Sequence, residues 1–358
     1  MPFVADLHVH SRFSRATSRS LDAPRLALWA ARKGISVVGT GDVTHPAWLA
    51  ELREGLVEAE EGLFRLRPDL ERPLLEDLPR SCRRPARFML SGEISCIYKK
   101  GGRTRKLHHL VLLPDFEAAD ALHKRLDRIG NVTSDGRPIL GLDSRDLLEI
   151  VLGTDDRAFF IPAHIWTPWF SLFGSRSGFD TLEECFEDLS PHIHALETGL
   201  SSDPPMNRRL SALDPYVLVS NSDAHSASKL GREANLFDTE VAYGPMIRAM
   251  TDGTGFLGTI EFFPEEGKYH LDGHRKCGVR LEPWETREAG GLCPTCGAPV
   301  TVGVLTRVDE LADRAEPALQ RSFHSLIPLT EVLGELLSCG PATKKVAAAY
   351  EGLLADLG

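Results

Sequence analysis

Short apolar runs alternate with amphipathic stretches along the first two thirds of the chain. The runs at 3–7 and 35–40 are rich in apolar and β-branched residues, as buried strands are. Further elements follow the same pattern: strands at 107–113, 159–162, 194–197 and 217–220, and helices at 21–33, 118–128 and 182–189. Alternating strands and helices predict an α/β fold with a mostly parallel sheet, and the number of units favours a barrel over an open sheet.

The pattern changes twice beyond this region. Residues 265–303 are rich in Gly, Pro, Cys and His and show little helical periodicity. After Arg307 the pattern is helical to the end, with a break at 338–341. We therefore predict three domains: a catalytic barrel at 1–243, a small zinc-binding ribbon module at 244–306, and a C-terminal helical segment at 307–358.

The composition is that of a folded protein rather than a disordered or membrane-spanning one. The chain has 358 residues, of which 42% are hydrophobic and 26% are charged. No apolar run approaches the roughly 20 residues of a membrane span. The N-terminus lacks a basic segment followed by an apolar one, which predicts no signal peptide and a reducing, cytoplasmic setting. In that setting clustered cysteines hold metal more often than they form disulfides.

The charge is unevenly distributed. A net charge of −10 argues against a protein that coats nucleic acid without specificity. Residues 80–106, however, contain nine basic residues against a single acid, Glu93. A solvated surface loop and a phosphate-binding surface both explain this stretch, and the second gains weight only beside a catalytic site.

Metal-ligating residue types recur at the ends of the predicted strands. His8 and His10 follow the first strand at a spacing that places both side chains on one side of an extended segment. Seven others occupy similar positions: Asp42, His45, Glu93, His108, His164, Asp223 and His225. Because a barrel gathers the carboxyl ends of its strands at one face, these residues predict a metal centre there.

A second set of ligands lies beyond the barrel. Cys293 and Cys296 form a Cys-x2-Cys turn, and His274 and Cys277 precede it at His-x2-Cys spacing. This spacing predicts a closed Cys3His zinc site of the structural type. His270 is the alternative fourth ligand, and unpaired surface thiols are the alternative to a zinc site.

The C-terminal segment contains a candidate helix-hairpin-helix. In such a motif backbone amides and following lysines hold a DNA phosphate, and Gly340, Lys344 and Lys345 fit those positions. Ser338 stands where the motif prefers glycine. An ordinary helical hairpin explains the same pattern.

The order of these motifs resembles the PHP (polymerase and histidinol phosphatase) superfamily: Asp-Leu-His-Val-His-Ser, then Gly-Glu, then a lone His, then Ser-Asp-Ala-His. The resemblance implies a distorted (β/α)7 barrel that uses up to three divalent ions (Zn, Mg or Mn) for phosphoester hydrolysis by a metal-bound hydroxide. It assigns one ion to His8, His10, Glu93 and Asp223. It assigns a second to Glu93, His108 and His164, and a third to His225 with Asp42 or His45. The implied catalytic residues are Asp223, His225, Glu93 and His45.

Further motifs resemble the endonuclease Q family within that superfamily. They include Ala-His-Ile-Trp-Thr-Pro-Trp-Phe, Glu-Thr-Gly-Leu-Ser-Ser-Asp and the His/Cys ribbon. The resemblance implies a DNA repair endonuclease that nicks 5′ to uracil, hypoxanthine, xanthine or an abasic site, with the lesion flipped into a pocket. Implied partners are damaged DNA and a replication or repair sliding clamp, in a cytoplasmic, nucleoid-associated setting. No membrane or nucleotide cofactor is expected.

Several residues are candidates for DNA contact. Trp166, Trp169 and Phe170 follow His164 and could stack a flipped base, or could instead pack over the barrel mouth. The other candidates are polar or basic: Ser201, Asn221, Lys99, Lys100, Arg103, Arg105, Lys106, Lys344 and Lys345. Two alternatives remain open, a histidinol-phosphatase-like enzyme for a small substrate and a DNA-binding protein without catalysis.

Overall fold

A computed structural model describes residues 1–357 and shows an α/β barrel, a small ribbon module and a C-terminal helical hairpin. The strands are β1 (Phe3–Asp6), β2 (Ile35–Gly39), β3 (Leu56–Glu58), β4 (Phe64–Leu66), β5 (Arg87–Lys100), β6 (Arg103–Leu113), β7 (Ile139–Leu140), β8 (Phe159–Pro162), β9 (Ala195–Glu197), β10 (Val217–Val219), β11 (Ala234–Phe237), β12 (Phe256–Glu261), β13 (Asp272–His274), β14 (Val279–Leu281) and β15 (Ser322–Ser325). The helices are α1 (Ala23–Lys33), α2 (Pro46–Gly55), α3 (Pro68–Glu76), α4 (Phe116–Asp127), α5 (Ser144–Leu152), α6 (Leu182–Phe186), α7 (Pro204–Asn207), α8 (Tyr243–Asp252), α9 (Pro283–Glu288), α10 (Val304–Leu311), α11 (Leu329–Leu336) and α12 (Lys344–Leu357).

Nine strands close the barrel. Hydrogen bonds connect β12, β11, β1, β2, β5, β6 and β8 in that order, and the pair β9–β10 lies between β8 and β12. The pairs β1–β2, β2–β5 and β9–β10 are parallel, whereas β5–β6, β6–β8, β1–β11 and β11–β12 are antiparallel. The predicted α/β barrel is confirmed, but its sheet is mixed, because β5 and β6 form one long hairpin instead of a strand–helix–strand unit.

Apolar side chains from all nine strands fill the barrel interior. They include Ala5, Val37, Met89, Leu110, Ile161, Ala195, Val219, Phe237 and Phe256. Helix α8 packs against the same cluster through Met246, Ala249 and Met250 and covers one end of the barrel. Burying each large aliphatic side chain contributes about 1.5–3 kcal/mol. Because α8 covers one end, the polar residues that follow β1, β8 and β10 lie at the other end of the barrel.

The remaining elements extend the barrel on both sides. The hairpin β3–β4 pairs with β5, and β15 adds a parallel strand beside β12. The three-domain division stays a prediction; it places β12, which is one of the nine barrel strands, and most of α8, which packs against the barrel interior, with the ribbon module. None of the helices within residues 1–357 is both long and apolar enough to cross a membrane.

The C-terminal helices form a hairpin on the outside of the barrel. Helices α11 and α12 pack through Leu333, Val346 and Tyr350, with Trp29 of α1 against them. Between the two helices Ser338 adopts a left-handed conformation with φ of 51°, the geometry that glycine would adopt more readily. The hairpin forms as the pattern predicts, and its role in holding a DNA phosphate stays a prediction.

A buried carboxyl group in β12 makes the stability of the barrel depend on pH. Burial raises the pKa of Glu261 to about 8, and the nearby Glu233 also has a raised pKa because it is buried beside Glu261. Three hydroxyl groups donate to Glu261, from Thr259, Ser220 and Thr198. The unfolded chain loses this proton near pH 4.5, so the free energy of unfolding falls as the pH rises from there to 8.

We expect Glu261→Gln to remove much of this dependence. The variant should melt at a higher temperature than the parent at pH 8 and at a similar temperature at pH 5, with a gain on the order of 4 kcal/mol at the higher pH. Melting curves recorded by circular dichroism across pH 5–9 test this. The exposed Glu240→Gln is the control, and a parallel shift of the two variants would contradict the assignment.

Candidate metal centre and active site

The predicted metal ligands meet at the end of the barrel opposite α8. Strand β1 leads into His8 and His10, β8 into His164, and β10 into Asp223, while Glu93 and His108 lie within the β5–β6 hairpin. Their ligand atoms form two groups, and within each group the atoms lie within 4.8 Å of one another. The structure thus brings together six of the nine residues predicted for the centre.

The first group contains His8, His10, Glu93 and Asp223. The Nε2 atom of His10 lies 2.9 Å from Asp223 Oδ1 and 3.4 Å from Glu93 Oε2. The Nε2 atom of His8 lies 3.6 Å from the same Glu93 oxygen. Two imidazoles and two carboxylates facing one point form a donor set that suits Zn²⁺ and other divalent ions.

The second group shares Glu93 with the first and adds His108 and His164. The other carboxylate oxygen, Glu93 Oε1, lies 2.6 Å from His108 Nδ1 and 3.1 Å from His164 Nε2. Each oxygen of Glu93 therefore faces a different group. This is the arrangement of a carboxylate that bridges two ions, and it agrees with the role that the family resemblance implied for Glu93.

Two buried carboxylates fix the orientation of the first two histidines. His8 Nδ1 donates to Glu197, whose two oxygens each lie 3.0 Å away, and His10 Nδ1 lies 3.2 Å from Asp42 Oδ1. Both rings therefore present Nε2 to the centre, as histidine ligands held by a second carboxylate do. His8 Nε2 is buried and has no hydrogen-bond partner within residues 1–357, so the site fits an ion at that point.

The charges of the centre are strongly coupled. Burial disfavours the charged form of His10, but hydrogen bonds with Asp223 and Asp42 outweigh it and raise the pKa of His10 to about 9. Burial lowers the pKa of His108 to about 4, so this ring is neutral at pH 7. Because a divalent ion binds neutral imidazole, an ion held by His10 would replace its proton as the counter-charge of the carboxylates.

The residues predicted for a third ion lie in neither donor group. Asp42 accepts hydrogen bonds from Ser11 and Ser14 as well as contacting His10, so its carboxylate serves to orient other side chains. His45 caps helix α2, where its Nδ1 accepts the Trp48 N–H, and its Nε2 donates to the Thr133 carbonyl. Both ring nitrogens of His45 are engaged, which contradicts its predicted roles as ligand and catalytic residue.

His225 also lies outside both groups. Its Nδ1 atom donates to the Asp223 carbonyl at 2.9 Å, and its ring lies against that of His10. Within residues 1–357, the side chains of Asp42, His45 and His225 do not come together as a third set of ligands. Two groups of donors are therefore assembled at the centre, and the third ion stays a prediction.

The sequence patterns missed a cation beside the centre. Arg137 lies in the loop before β7, and its Nη1 atom donates to Glu93 Oε2 at 3.0 Å. They also missed the role of Glu197, which holds His8. Nothing in the spacing of Arg137 marks it, because it is contributed by a loop of irregular structure.

Backbone strain is concentrated in the same region. Asp42, His164, Phe170 and Asp223 all have positive φ values, of 49°, 30°, 62° and 46°. Side chains other than glycine seldom adopt this conformation, and it persists where the surrounding structure enforces it. Opposite His164, Gly199 has no Cβ, and one built there would lie 2.4 Å from the Cβ of His164. The loops are thus shaped to place these particular side chains.

A cavity of about 590 Å³ opens above the two groups. Its walls include Trp169 and Phe170, which the sequence predicted, and Phe262 and Tyr269, which it did not. Trp169 is 37% exposed and meets the edge of Tyr269 at a ring separation of 6.0 Å. An aromatic wall beside a metal centre can accommodate a flat ring.

Trp166 does not reach this cavity. Its side chain is 1% exposed, it packs against Phe173, and its Nε1 donates to Asn207 Oδ1 at 2.8 Å. Its predicted role in stacking a base is therefore contradicted: of the two alternatives posed for this loop, packing applies to Trp166 and exposure to Trp169.

Of the polar and basic residues predicted to contact DNA, some are accessible and others are buried or paired. Ser201 lines the cavity, whereas Asn221 is buried, bonded to the Leu7 N–H and to Glu197, and is not available to DNA. In the basic hairpin, Arg105 is buried against Phe179 and Lys100 pairs with Asp143 and Glu187, so both have structural roles. The others remain candidates: Lys106, which lies over the ring of Phe170, and the exposed Lys99, Arg103, Lys344 and Lys345.

The ribbon module gathers the second set of predicted ligands. His274, Cys277, Cys293 and Cys296 have ligand atoms within 4.8 Å of one another, so His274 rather than His270 completes the group. Three thiols and one imidazole on a β-hairpin and a tight turn suit a structural zinc ion.

The ribbon module also holds the loop that carries Trp169. Ser175 Oγ donates to the Val302 carbonyl at 2.9 Å, and Arg176 Nη2 donates to the Val300 carbonyl at 2.8 Å. These bonds connect residues 299–303 of the module to the wall of the cavity. The position of Trp169 above the metal centre therefore depends on the folding of the ribbon module.

Two solved structures resemble the chain over its whole length. The lesion-specific endonuclease PfuEndoQ of Pyrococcus furiosus is 30% identical, with a TM-score of 0.84, and the match covers 100% of this chain and 84% of that one. A complex of Endonuclease Q with a 27-mer duplex carrying an abasic lesion at the active site has the same identity and TM-score, and the match covers 85% of that chain.

Two curated proteins also match the sequence. The uncharacterised protein YqxK of Bacillus subtilis is 31% identical over 357 residues, which cover 95% of this chain and 84% of that protein. An uncharacterised protein of Methanocaldococcus jannaschii is 31% identical over 202 residues, and the match covers 54% of this chain and a quarter (25%) of that protein's length. No protein-family model matches the chain.

Proposed function

The chain belongs to the endonuclease Q family, and on this basis we propose that it is a metal-dependent DNA repair endonuclease. Its substrate is duplex DNA that carries uracil, hypoxanthine, xanthine or an abasic site, and it cuts the phosphodiester bond 5′ to the lesion. The observation that carries the proposal is the pair of donor groups sharing Glu93 beneath an aromatic cavity. A solved relative that binds an abasic duplex at its active site supports it.

Each carboxylate oxygen of Glu93 belongs to a different donor group: Oε2 faces the first and Oε1 the second. His8, His10 and Asp223 would hold one ion with Glu93, and His108 and His164 would hold the other. Divalent ions in such pairs, whether Zn, Mg or Mn, make water a nucleophile near neutral pH and neutralise charge on phosphate oxygens. Asp42 and Glu197 keep the imidazoles in the orientation that leaves Nε2 free for this purpose.

The cavity walls supply the contacts for the damaged nucleotide. Trp169 and Tyr269 present aromatic surfaces on which an unstacked base can rest, as base-flipping enzymes require. Lys268, on the same wall, adds a positive charge where the backbone enters. The ribbon module, with zinc bound, positions the loop of Trp169 through Ser175 and Arg176. The sliding clamp stays a prediction.

End-labelled duplexes test the proposed activity directly. Each duplex carries one deoxyuridine, deoxyinosine or abasic site, with undamaged DNA as the control, and products formed with Mg²⁺, Mn²⁺ or Zn²⁺ are mapped on a sequencing gel. A single nick 5′ to the lesion that EDTA suppresses is the expected result. Release of phosphate from a small monoester, with no nick under any ion, would contradict the proposal and favour a phosphatase.

Trp169→Ala should weaken the use of base lesions more than the use of an abasic site. Stacking on an aromatic side chain contributes about 1–3 kcal/mol per base, so kcat/KM on a uracil duplex should fall about 5- to 150-fold. An abasic nucleotide has no base to stack, so its incision should change much less. Trp284→Ala, which removes a tryptophan that is 54% exposed outside this cavity, is the matched control. Equal losses on both lesions would show that Trp169 does not contact the base.

A further inference from the structure

Arg137 lies beside the first donor group. Its guanidinium donates to Glu93 Oε2 at 3.0 Å, on the oxygen that faces the first donor group. Two of the side chains expected to hold a third ion make other contacts: Asp42 accepts from Ser11 and Ser14, and both ring nitrogens of His45 are hydrogen-bonded. His225 donates through its Nδ1 to a backbone carbonyl and lies outside both donor groups. Arg137 therefore places a permanent positive charge beside the first donor group, where the residues predicted for a third ion do not form a set of ligands.

The loop that carries Arg137 is fixed against the centre. The Gly136 N–H donates to the Phe13 carbonyl at 3.0 Å, and the Arg137 N–H donates to Asp135 Oδ1 at 3.2 Å. A Cβ built on Gly136 would lie 2.2 Å from Asp42 Oδ2, so only glycine allows this approach. The close packing of Gly136 against Asp42 therefore positions the next residue, Arg137, beside Glu93.

One nitrogen of the Arg137 guanidinium is hydrogen-bonded to Glu93, and in the described part of the chain its other nitrogens remain free to donate. Its partner Glu93 is fully buried, whereas the Arg137 side chain is 22% exposed. Within residues 1–357, its Nε and Nη2 atoms make no hydrogen bond of their own. Arginine donors in a fixed fork match the oxygens of a phosphate, and an arginine held by a carboxylate is already oriented before the substrate arrives.

We infer that Arg137 is a catalytic residue that donates to a non-bridging oxygen of the scissile phosphate and replaces the third ion. The centre then works with two ions and one guanidinium. This inference rests on the proposed function for its substrate, a phosphodiester, but it does not depend on which lesion the enzyme recognises. No proton leaves the arginine, because its pKa is raised further by the charge of Glu93.

The test combines metal counting with kinetics. Three variants, Arg137→Ala, Arg137→Lys and the control Arg157→Ala, are compared with the parent on a uracil duplex. The Arg157 side chain is exposed and pairs with Asp115 and Asp155. Arg157 lies at the covered end of the barrel, away from the metal centre, where its carbonyl accepts a hydrogen bond from the Tyr243 hydroxyl of α8. We expect Arg137→Ala to lower kcat about 10²- to 10³-fold, the loss seen when one fixed donor to a transition state is removed. Arg137→Lys should recover part of kcat, and millimolar guanidinium should partly rescue the alanine variant alone.

Two further measurements separate a catalytic role from a structural one. Inductively coupled plasma mass spectrometry should find two ions at the centre and one in the ribbon module, in the parent and in Arg137→Ala alike. Substrates with sulfur at either non-bridging oxygen should be distinguished by the parent, and Arg137→Ala should lose that discrimination. A kcat within threefold of the parent, loss of ions in Arg137→Ala, or a third ion at the centre of the parent would each overturn the inference.

The outcome is separable from that of the proposed function. If the parent nicks no lesion duplex, the proposed function fails, and Arg137 is then tested on hydrolysis of bis(4-nitrophenyl) phosphate and by the metal count. The predicted loss in the alanine variant applies equally to that diester, because the arginine contacts phosphate and not base.

Discussion

Replacing Asp223 with alanine should abolish incision while leaving the barrel folded. Asp223 Oδ1 lies 2.9 Å from His10 Nε2 and supplies a ligand to the first donor group. Its side chain is 27% exposed and lies outside the apolar cluster that fills the barrel, so its loss removes no core packing. Loss of an ion that supplies several kcal/mol of transition-state stabilisation should lower kcat by about 10³-fold or more.

Incision assays, metal content and thermal melting together check this expectation. Asp223→Ala should carry one ion fewer than the parent at the centre and should melt within a few degrees of it. Asp238→Ala, at an exposed aspartate after β11, is the control and should match the parent in all three measurements. Incision at the parental rate by Asp223→Ala would show that the first donor group is not part of the active site.

Cys293→Ser should unfold the ribbon module and weaken DNA binding. Cys293 is 2% exposed and is one of four ligands, and residues 270–303 have few other apolar side chains to hold them together. Zinc binding in small modules is worth about 10–16 kcal/mol at pH 7, far more than so small a core can supply. The loop that carries Trp169 should lose its anchors at Val300 and Val302, and KM for the lesion duplex should rise more than kcat falls.

Zinc content, hydrogen exchange and DNA binding measure this effect. Exchange should accelerate across the ribbon module and in residues 168–178, while the barrel strands keep their protection. Cys339→Ser is the matched control, since Cys339 lies outside the zinc group, in the turn between α11 and α12, where its thiol contacts the Thr343 hydroxyl and packs against the hairpin cluster. A pure loss of turnover with normal folding and DNA binding would instead place this zinc in the active site.

The sequence predicted the metal centre well because its ligands follow strands that meet at one end of a barrel. Six of the predicted ligands lie together in two groups, and His8 and His10 share a side because alternate residues of an extended segment face the same way. Asp42 and His45 share the same sequence signal but join neither donor group: Asp42 holds His10, and His45 caps α2. Their directions are set by a left-handed backbone at Asp42 and by the cap of α2, neither of which spacing reveals.

Other parts of the site depend on contacts between distant segments. Trp166 and Trp169 lie three residues apart in one loop, yet one is buried and the other lines the cavity. Tyr269 and Arg137 arrive from regions whose local pattern carries no signal of catalysis. The mixed sheet also escaped prediction, although the two glycines at 101–102, both with positive φ, are a sequence signal for a two-residue hairpin turn between β5 and β6.

The covered end of the barrel has a consequence for the traffic of ions. With α8 against the interior cluster, the buried donors connect to solvent through the aromatic cavity at the other end. A duplex bound across that opening would cover the route by which ions enter and leave. If DNA binds across the opening as proposed, the ions would have to enter before the duplex and would be retained until the product leaves.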